Sequence, residues 1–258
     1  MTENYRAAVL EALGLKEEPD ETTYGPNDCV MRENTVPFAP DIDDLARLYR
    51  LARERKATTI LEFGSGFSTA VLSQALVRNE QDFGDDSDFK MLRRNNPFEL
   101  HTIDCNFDWL RRTQDRLLGD AKKVANIHHS TVTIGTFQDR ICHFYDSIPN
   151  ITPDFIYLDG PSSFDVSGHV SGLSFNHMDR TVIAADLARM EWLLLPGTMI
   201  LVDGRTNNAR FLKQNFQRNW AYDFDPRQDV HTFELQEAPL GDLNRKQIEF
   251  CLGAVDWI

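Results

Sequence analysis

A short apolar run followed by two closely spaced glycines is the feature that most constrains how this chain folds. Thr59–Phe63 is β-branched and apolar, and Gly64 and Gly66 come directly after it. Such a run is typical of a strand that ends in a sharp turn, and the sequence beyond it predicts a helix. Because glycine lacks a Cβ, a ligand can lie against the backbone N–H groups of the turn, while Ser68 or Thr69 can cap the helix. We therefore expect a cradle of the kind that binds nucleotides.

The spacing of the glycines separates two classes of nucleotide cofactor. The dinucleotide fingerprint requires a third glycine a few residues further on. In this chain Thr69 and Ala70 occupy that region. The pattern argues against a nicotinamide or flavin cofactor.

The segment Leu61–Thr69 resembles the first motif of the class I S-adenosylmethionine (SAM)-dependent methyltransferases. The resemblance implies SAM as the cofactor and places Glu62 against its methionine end. It also implies that the turn and the first residues of the helix bind the cofactor, namely Gly64, Ser65, Gly66, Ser68 and Thr69. A strand-turn-helix corner with no ligand would have the same local pattern, so the decision depends on the rest of the chain.

A second landmark is the alternating run Leu100–Asp104, which predicts a strand ending on an acid. In a doubly wound sheet an acid at this point binds ribose, because a carboxylate offers two acceptor oxygens to the two hydroxyl donors of a vicinal diol. Asp104 lies further beyond Gly66 than the roughly 20 residues usual for this acid, and the polar stretch 79–97, typical of a mobile loop, accounts for the excess. Asp104 could also cap the helix that begins at Phe107, a role compatible with binding ribose, although Asn106 is the better cap.

Two further landmarks follow in the order that the resemblance requires. The apolar run Phe155–Leu158 predicts a strand that ends in Asp159-Gly160-Pro161, and the resemblance places such an acid beside the methyl donor. A helix is predicted from Asp179 to Leu194, followed by Pro-Gly and the strand Met199–Asp203. This junction is also similar to that of the methyltransferases.

These elements predict the fold class. A third strand is expected within Asn126–Thr136, a helix over Gly204–Asn219, and two late strands over 220–224 and 230–235. We therefore predict an α/β fold, with a Rossmann-like, mostly parallel seven-stranded sheet flanked by helices and an antiparallel C-terminal hairpin.

The sequence predicts two parts, an N-terminal extension over residues 1–40 and a methyltransferase domain over residues 41–258. The extension comprises an appended helix over Tyr5–Leu15 and an irregular segment over Tyr24–Pro40. By analogy with the resembling enzymes, that segment could cover the active site, or it could be a plain tether. Asp41 is expected to cap the first helix of the domain.

Composition limits the partners and the compartment. The 258 residues carry 27 Lys and Arg against 40 Asp and Glu, a net charge of -13, so the chain repels polyanions and nucleic acid is not expected as a partner. No signal peptide or membrane-spanning run is visible, so no membrane partner is expected. The four cysteines form neither a zinc motif nor a disulfide framework, which fits a reducing cytoplasm: Cys29, Cys105, Cys142 and Cys251.

The resulting hypothesis is a SAM-dependent methyltransferase that methylates a hydroxyl of a small-molecule or carbohydrate acceptor. Alignment of sulfur, methyl and acceptor oxygen supplies much of the catalysis, and a hydroxyl also needs a base or a metal to remove its proton. His177 is the candidate base and Asp159 orients the acceptor, although His177 could be an ordinary loop histidine.

The order Asp-Gly-Pro, Arg180, Val-Asp-Gly-Arg is similar to methyltransferases of sugar hydroxyls. An aminopropyl transferase and a catalytically idle binding module are the alternatives.

The sequence also contains two aspartates that are candidate ligands of a metal ion. Asp159 and Asp203 both end predicted strands, and in catechol-type O-methyltransferases acids at such positions hold Mg²⁺ together with an Asn. Here Gly204 and Arg205 follow Asp203 instead. A guanidinium would compete with the cation, so Asp203 is expected to cap the next helix or pair with Arg205, and transfer is expected to be independent of metal.

Overall fold

A seven-stranded sheet forms the centre of the molecule. The computed structural model describes residues 4–19 and 39–257. Its strands are β1 (Thr59–Phe63), β2 (Glu99–Asp104), β3 (Ala125–His129), β4 (Val132–Phe137), β5 (Arg140–Tyr145), β6 (Phe155–Leu158), β7 (Met199–Asp203), β8 (Trp220–Asp225) and β9 (Val230–Leu235). The main sheet has the order β3-β2-β1-β6-β7-β9-β8, while β4 and β5 form a separate hairpin. In this sheet β3, β2, β1, β6 and β7 are parallel, and β9 is antiparallel to both its neighbours, β7 and β8. The predicted fold class is therefore confirmed.

The helices of the described residues are α1 (Tyr5–Leu13), α2 (Ile42–Glu54), α3 (Phe67–Phe83), α4 (Ser87–Lys90), α5 (Phe107–Arg116), α6 (Ala121–Val124), α7 (Asp186–Met190), α8 (Thr206–Asn215) and α9 (Asp242–Leu252). None of these helices is long and apolar enough to cross a membrane. Two predicted caps are present: the Asp41 carboxylate accepts from the backbone N–H groups of Asp43 and Asp44, and the Asn106 side chain caps α5.

The central strands β1, β6 and β7 are mainly apolar because both faces of the sheet are covered. Along β1, Leu61 and Phe63 belong to one hydrophobic cluster, whereas Ile60 belongs to another that contains α2 and α3. Successive side chains of a strand point to opposite faces, so a strand buried on both sides must be apolar at nearly every position. The exception in β1 is Glu62, which is fully buried.

The order of the strands sets the position of the site. The chain turns outward in opposite directions from β1 and from β6, which are neighbours in the sheet. In an open parallel sheet a crevice forms at the carboxyl ends of the two strands where the order reverses. The turn after β1 and the turn after β6 face each other across this crevice.

Three predicted elements differ from the structure. The helix expected from Asp179 to Leu194 is confined to α7 and a 3-10 turn at Glu191–Leu193, whereas residues 180–184 form a non-helical segment that pairs with β5 at Ala184. The third strand expected within Asn126–Thr136 is two strands, the end of β3 and most of β4, and β4 pairs with β5 outside the main sheet. The stretch 79–97, expected to be a loop, completes α3 and forms α4.

The N-terminal helix also differs from its prediction as an appendage. Helix α1 packs on α2, with Val9 fully buried in the cluster that contains Tyr49. Most of the irregular segment Tyr24–Pro40 lies outside the described residues, so its role as a cover or a tether stays a prediction, as does a domain boundary at residue 40.

Candidate functional site

The turns after β1 and β6 meet through a pair of glycines. Gly64 has φ +96°, a conformation that residues with a Cβ rarely adopt. A Cβ on Gly64 would lie 2.9 Å from the backbone of Gly160, and one on Gly160 would lie 2.4 Å from the Cα of Gly64. The two backbones therefore touch, and each glycine is required by the other.

Gly66 has a different reason for lacking a side chain. Its φ of 171° is extended backbone that any residue adopts, and a Cβ built on it meets no atom within 4 Å. Its N–H is occupied by the hydroxyl of Thr69, at 3.1 Å. The chain itself does not need a glycine here, but the open space above it suits a ligand that approaches the backbone closely.

Glu62 lies beneath this turn. Its two carboxylate oxygens accept hydrogen bonds from the hydroxyls of Ser68 (2.5 Å) and Thr69 (2.7 Å). Burial raises the pKa of Glu62 to about 7, against the opposing effect of these bonds. Ser68 and Thr69 thus hold α3 to β1, and Thr69 also takes part in capping α3, as expected, because its hydroxyl accepts from the N–H of the N-cap residue Gly66.

Asp104 connects the end of β2 to the glycine turn. One of its oxygens accepts from the N–H and the hydroxyl of Ser65, at 2.9 and 2.8 Å, and the other accepts from the N–H of Asn106 at 2.9 Å. Each carboxylate oxygen has two acceptor sites, so capacity remains on the side of Asp104 that faces the crevice.

A cleft of about 530 Å³ opens at this crevice, and we call it cleft A. Its volume is within the range of small-molecule sites. Six aspartates and two arginines are among its lining residues, so it is acidic: Asp41, Asp44, Asp104, Asp159, Asp165, Asp203, Arg116 and Arg205. Of the predicted cofactor residues, Gly64, Ser65, Gly66, Ser68, Asp104 and Asp159 line the cleft, whereas Glu62 and Thr69 lie behind it.

Asp159 is held at the mouth of the β6 turn by Arg205. The guanidinium donates to the backbone carbonyls of Asp159 (2.5 Å) and Pro161 (2.9 Å), and its Nε approaches Asp159 Oδ1 at 3.4 Å. The Asp159 side chain is 53% exposed. The surrounding protein desolvates this carboxyl group and raises its pKa, while Arg205 opposes the increase. Asp159 thus remains available to a ligand.

Asp203, at the end of β7, has partners other than those expected. It accepts a hydrogen bond from the hydroxyl of Tyr157 at 3.0 Å and lies 3.6 Å from the guanidinium of Arg47. It neither caps α8 nor pairs with Arg205, which is taken up by the β6 turn. Burial and then the nearby charge of Asp159 raise the pKa of Asp203 to about 6.

A second cleft of about 590 Å³ lies beside the first, and we call it cleft B. It shares Asp159, Asp203 and Arg205 with cleft A. Its other walls come from the non-helical segment before α7 and from the start of α8, including Arg180, Thr181, Asn207 and Arg210. The two carboxylates therefore lie at the junction of the clefts.

His177, the base expected from the sequence, lines neither cleft. It is half exposed on the loop before α7, with Asp179 as its neighbour at 3.8 Å. Its role in catalysis stays a prediction. Within residues 4–19 and 39–257, no three His, Cys, Asp or Glu side chains are arranged to hold a metal ion, and metal-independent transfer also stays a prediction.

Several residues of cleft A lie outside the motifs predicted from the sequence. Trp109 and Arg116 reach it from one face of α5, and the Arg116 guanidinium stacks over the ring of Phe67 at 3.8 Å. Their spacing of seven along a helix that follows Asp104 is the signal that could have revealed them. Asp44 and Asp165 approach from α2 and from the loop after β6, and only the folded chain places them here.

Comparison with known proteins gives similarities of fold at low sequence identity. No family model matches the sequence, and no curated protein matches it significantly. Among solved structures, it is similar to the O-methyltransferase TomG from Streptomyces achromogenes in complex with SAM, with 15% identity, TM-score 0.41 and coverage of 91% of this chain and 90% of that one. It is also similar to an O-methyltransferase from Bacillus cereus in complex with SAH, with 12% identity, TM-score 0.40 and coverage of 91% of this chain and 92% of that one. The SAH-bound methyltransferase PaMTH1 from Podospora anserina has 14% identity, TM-score 0.43 and coverage of 77% of this chain and 82% of that one. Because these similarities are weak, the functional conclusion rests on the clefts themselves.

Proposed function

We propose that this protein is a SAM-dependent methyltransferase that binds its cofactor in cleft A and methylates a hydroxyl of a small-molecule or carbohydrate acceptor in cleft B. The observation that carries the proposal is the acidic lining of cleft A beside the open backbone of Gly66. SAM has a sulfonium, an ammonium and a carboxylate, so it is a net cation at neutral pH. A pyrophosphate-bearing dinucleotide would instead meet the aspartates of this lining, where like charges repel.

The residues of cleft A fit the parts of SAM. Asp104, at the end of β2, is suited to the ribose hydroxyls, and the open space beside Gly66 leaves room for the amino-acid part. Trp109 and Phe67 offer aromatic surface to the adenine. Glu62 and Thr69 hold the turn in shape from behind, and a direct contact of Glu62 with the cofactor stays a prediction from the resemblance.

The junction of the clefts is where the acceptor hydroxyl would react. Bound SAM supplies a methyl group on a positively charged sulfur. Asp203 is the candidate base in our proposal because it lines both clefts and is oriented by Tyr157, and a pKa of about 6 keeps it ionised at neutral pH. Its carboxylate would take the proton that the acceptor hydroxyl loses as its oxygen receives the methyl group, and SAM would supply that group and leave as S-adenosylhomocysteine. Asp159 orients the acceptor, and His177 remains an alternative base.

Isothermal titration calorimetry with SAM, S-adenosylhomocysteine and NAD tests the cofactor. We expect the two sulfur compounds to bind in the micromolar range, roughly -8 kcal/mol, and NAD not to bind. Asp104→Asn should weaken S-adenosylhomocysteine binding by about 1.5–3 kcal/mol, the range for hydrogen bonds to a charged group. Binding of NAD without either sulfur compound would contradict the proposal.

Transfer itself separates the proposal from its alternatives. Decarboxylated SAM binding in preference to SAM would favour the aminopropyl transferase, and tight cofactor binding without transfer to any hydroxyl acceptor would favour the idle module.

Once an acceptor is known, activity should survive excess EDTA. Loss of activity with EDTA and recovery with Mg²⁺ would move Asp159 and Asp203 into a metal site.

A further inference from the structure

We infer that cleft B selects an acceptor that carries a compact anionic group, a carboxylate or a phosphate, which Arg180 and Arg210 bind while the hydroxyl reaches Asp203. The inference rests on the proposed function and adds the chemical class of the acceptor. It starts from two arginines that line the same cleft from different parts of the chain.

Arg180 lies on the non-helical segment before α7 and is half buried. One guanidinium nitrogen donates to the backbone carbonyl of Ser174 at 2.6 Å, which fixes the side chain. No carboxylate of the described residues forms an ion pair with it. A half-buried guanidinium has five N–H donors, so most of its hydrogen-bonding capacity is free to bind a ligand.

Arg210 lies on α8, one turn beyond Thr206, which also lines the cleft. It is exposed, and no carboxylate in the described part of the chain forms an ion pair with it. Asn207 ties the start of α8 to the segment of Arg180, because its side-chain amide donates to the hydroxyl of Thr181 at 2.9 Å. This bond holds the two arginine-bearing elements on one cleft.

Within the described part of the chain, no acid of cleft B forms an ion pair with Arg180 or Arg210. Asp159 is paired with Arg205, and Asp203 is held by Tyr157 and Arg47. Asp229 accepts from the hydroxyl of Thr206 at 2.9 Å. In a chain with a net charge of -13, two unpaired guanidinium groups beside a proposed reaction centre favour an anion, because planar guanidinium groups match the geometry of carboxylate and phosphate.

The two clefts therefore differ in charge. Six aspartates and two arginines line cleft A, which suits a cation, whereas three aspartates and three arginines line cleft B, and the wall formed by the segment before α7 and by α8 presents Arg180 and Arg210. An acceptor anchored at that wall by its anionic end would keep its hydroxyl at the junction, where Asp159 and Asp203 lie. Such anchoring supplies the positioning on which a transfer reaction depends.

The test is direct binding to the full chain, with and without saturating S-adenosylhomocysteine, of inorganic phosphate, glucose 6-phosphate and glucuronate, with glucose as the neutral comparison. NMR titration at constant ionic strength should show saturable binding of the anions and none of glucose at the same concentration. Comparison of glucose 6-phosphate with glucuronate distinguishes phosphate from carboxylate as the preferred group. Because cofactor binding is measured separately, a failure of this inference is distinguishable from a failure of the proposed function.

Variants locate the site. Arg180→Gln and Arg210→Gln should each weaken anion binding about tenfold, whereas Arg245→Gln, which removes the same charge from the exposed face of α9, should leave it unchanged. Arg180→Lys retains the charge and controls for loosening of the loop around Ser174, and Arg210→Gln alters no hydrogen bond of the described chain. Equal anion affinity in the folded Arg210→Gln variant and the Arg245→Gln control, or no saturable binding of any anion, would overturn the inference.

Discussion

The two glycines of the β1 turn show how one residue type can serve two purposes a few ångströms apart. Gly64 is required by the fold, since it touches Gly160 and has a positive φ. Gly66 is not required by any contact of the described chain. The difference is visible only in the structure, because the sequence presents both as parts of one motif.

Substitution by alanine should separate these roles. Gly160→Ala adds a Cβ 2.4 Å from the Cα of Gly64, so we expect a loss of roughly 1–3 kcal/mol in the free energy of unfolding, the usual cost of overpacking. Gly66→Ala should change that free energy by less than about 0.5 kcal/mol but weaken S-adenosylhomocysteine binding at least about tenfold. Urea denaturation and calorimetry measure the two quantities. A Gly66→Ala variant that binds normally would remove the close approach of a ligand to this backbone.

At the scale of elements, the segment before α7 shows why a helical pattern did not form a helix. Its backbone is bonded elsewhere: the N–H of His143 in β5 donates to the carbonyl of Ile183, and the N–H of Ala185 donates to the carbonyl of His143. Asn208, fully buried on α8, satisfies Ala184 from the other side, by accepting from its N–H at 2.8 Å and donating to its carbonyl at 3.1 Å.

Asn208→Ala should therefore loosen this segment. The substitution leaves a buried N–H and a buried carbonyl of Ala184 without partners, and we expect a loss of roughly 2–4 kcal/mol in the free energy of unfolding. Asn207→Ala, which removes an exposed hydrogen bond to Thr181, is the matched control and should cost under about 1 kcal/mol. Chemical denaturation of both variants checks the prediction. Similar stabilities for the two would mean that Ala184 finds other partners.

Elements and site residues could be predicted from the sequence where their signal is a local pattern. The strands β1, β2, β6 and β7 and the turns at their ends were predictable, since β1, β6 and β7 are mainly apolar runs, β2 is an alternating run, and each is bounded by an acid, Gly or Pro. The β4–β5 hairpin was missed because its strands are only partly buried and have no such boundary. Likewise, Gly64, Ser65, Gly66 and Asp104 of the site follow from motifs, but Arg205 and the second cleft depend on contacts between distant parts of the chain.

At the scale of the whole molecule, three buried carboxyl groups link stability to pH. The pKa values of Glu62 and Asp186 are raised to about 7 and that of Asp203 to about 6, mainly by burial. In the unfolded chain these groups return to ordinary values near 4. Between about pH 4 and pH 7 these three groups therefore keep protons in the folded chain that they lose in the unfolded chain. His143, whose pKa burial lowers to about 3, acts in the opposite direction below about pH 6.5, but it is one group against three.

The sign of this linkage predicts that the protein becomes less stable as pH rises from 5 to 8. Because the unfolded chain binds fewer protons in this window, the free energy of unfolding should fall, by at least about 2 kcal/mol, and the growing negative charge of an already acidic chain acts in the same direction. Urea denaturation at a series of pH values measures the slope. Glu62→Gln removes one of the titrating groups and should flatten the slope, whereas Glu54→Gln, the same change at an exposed position of α2, should not. A free energy of unfolding that is constant or rises over this range would show that these carboxyl groups are not held protonated in the folded protein.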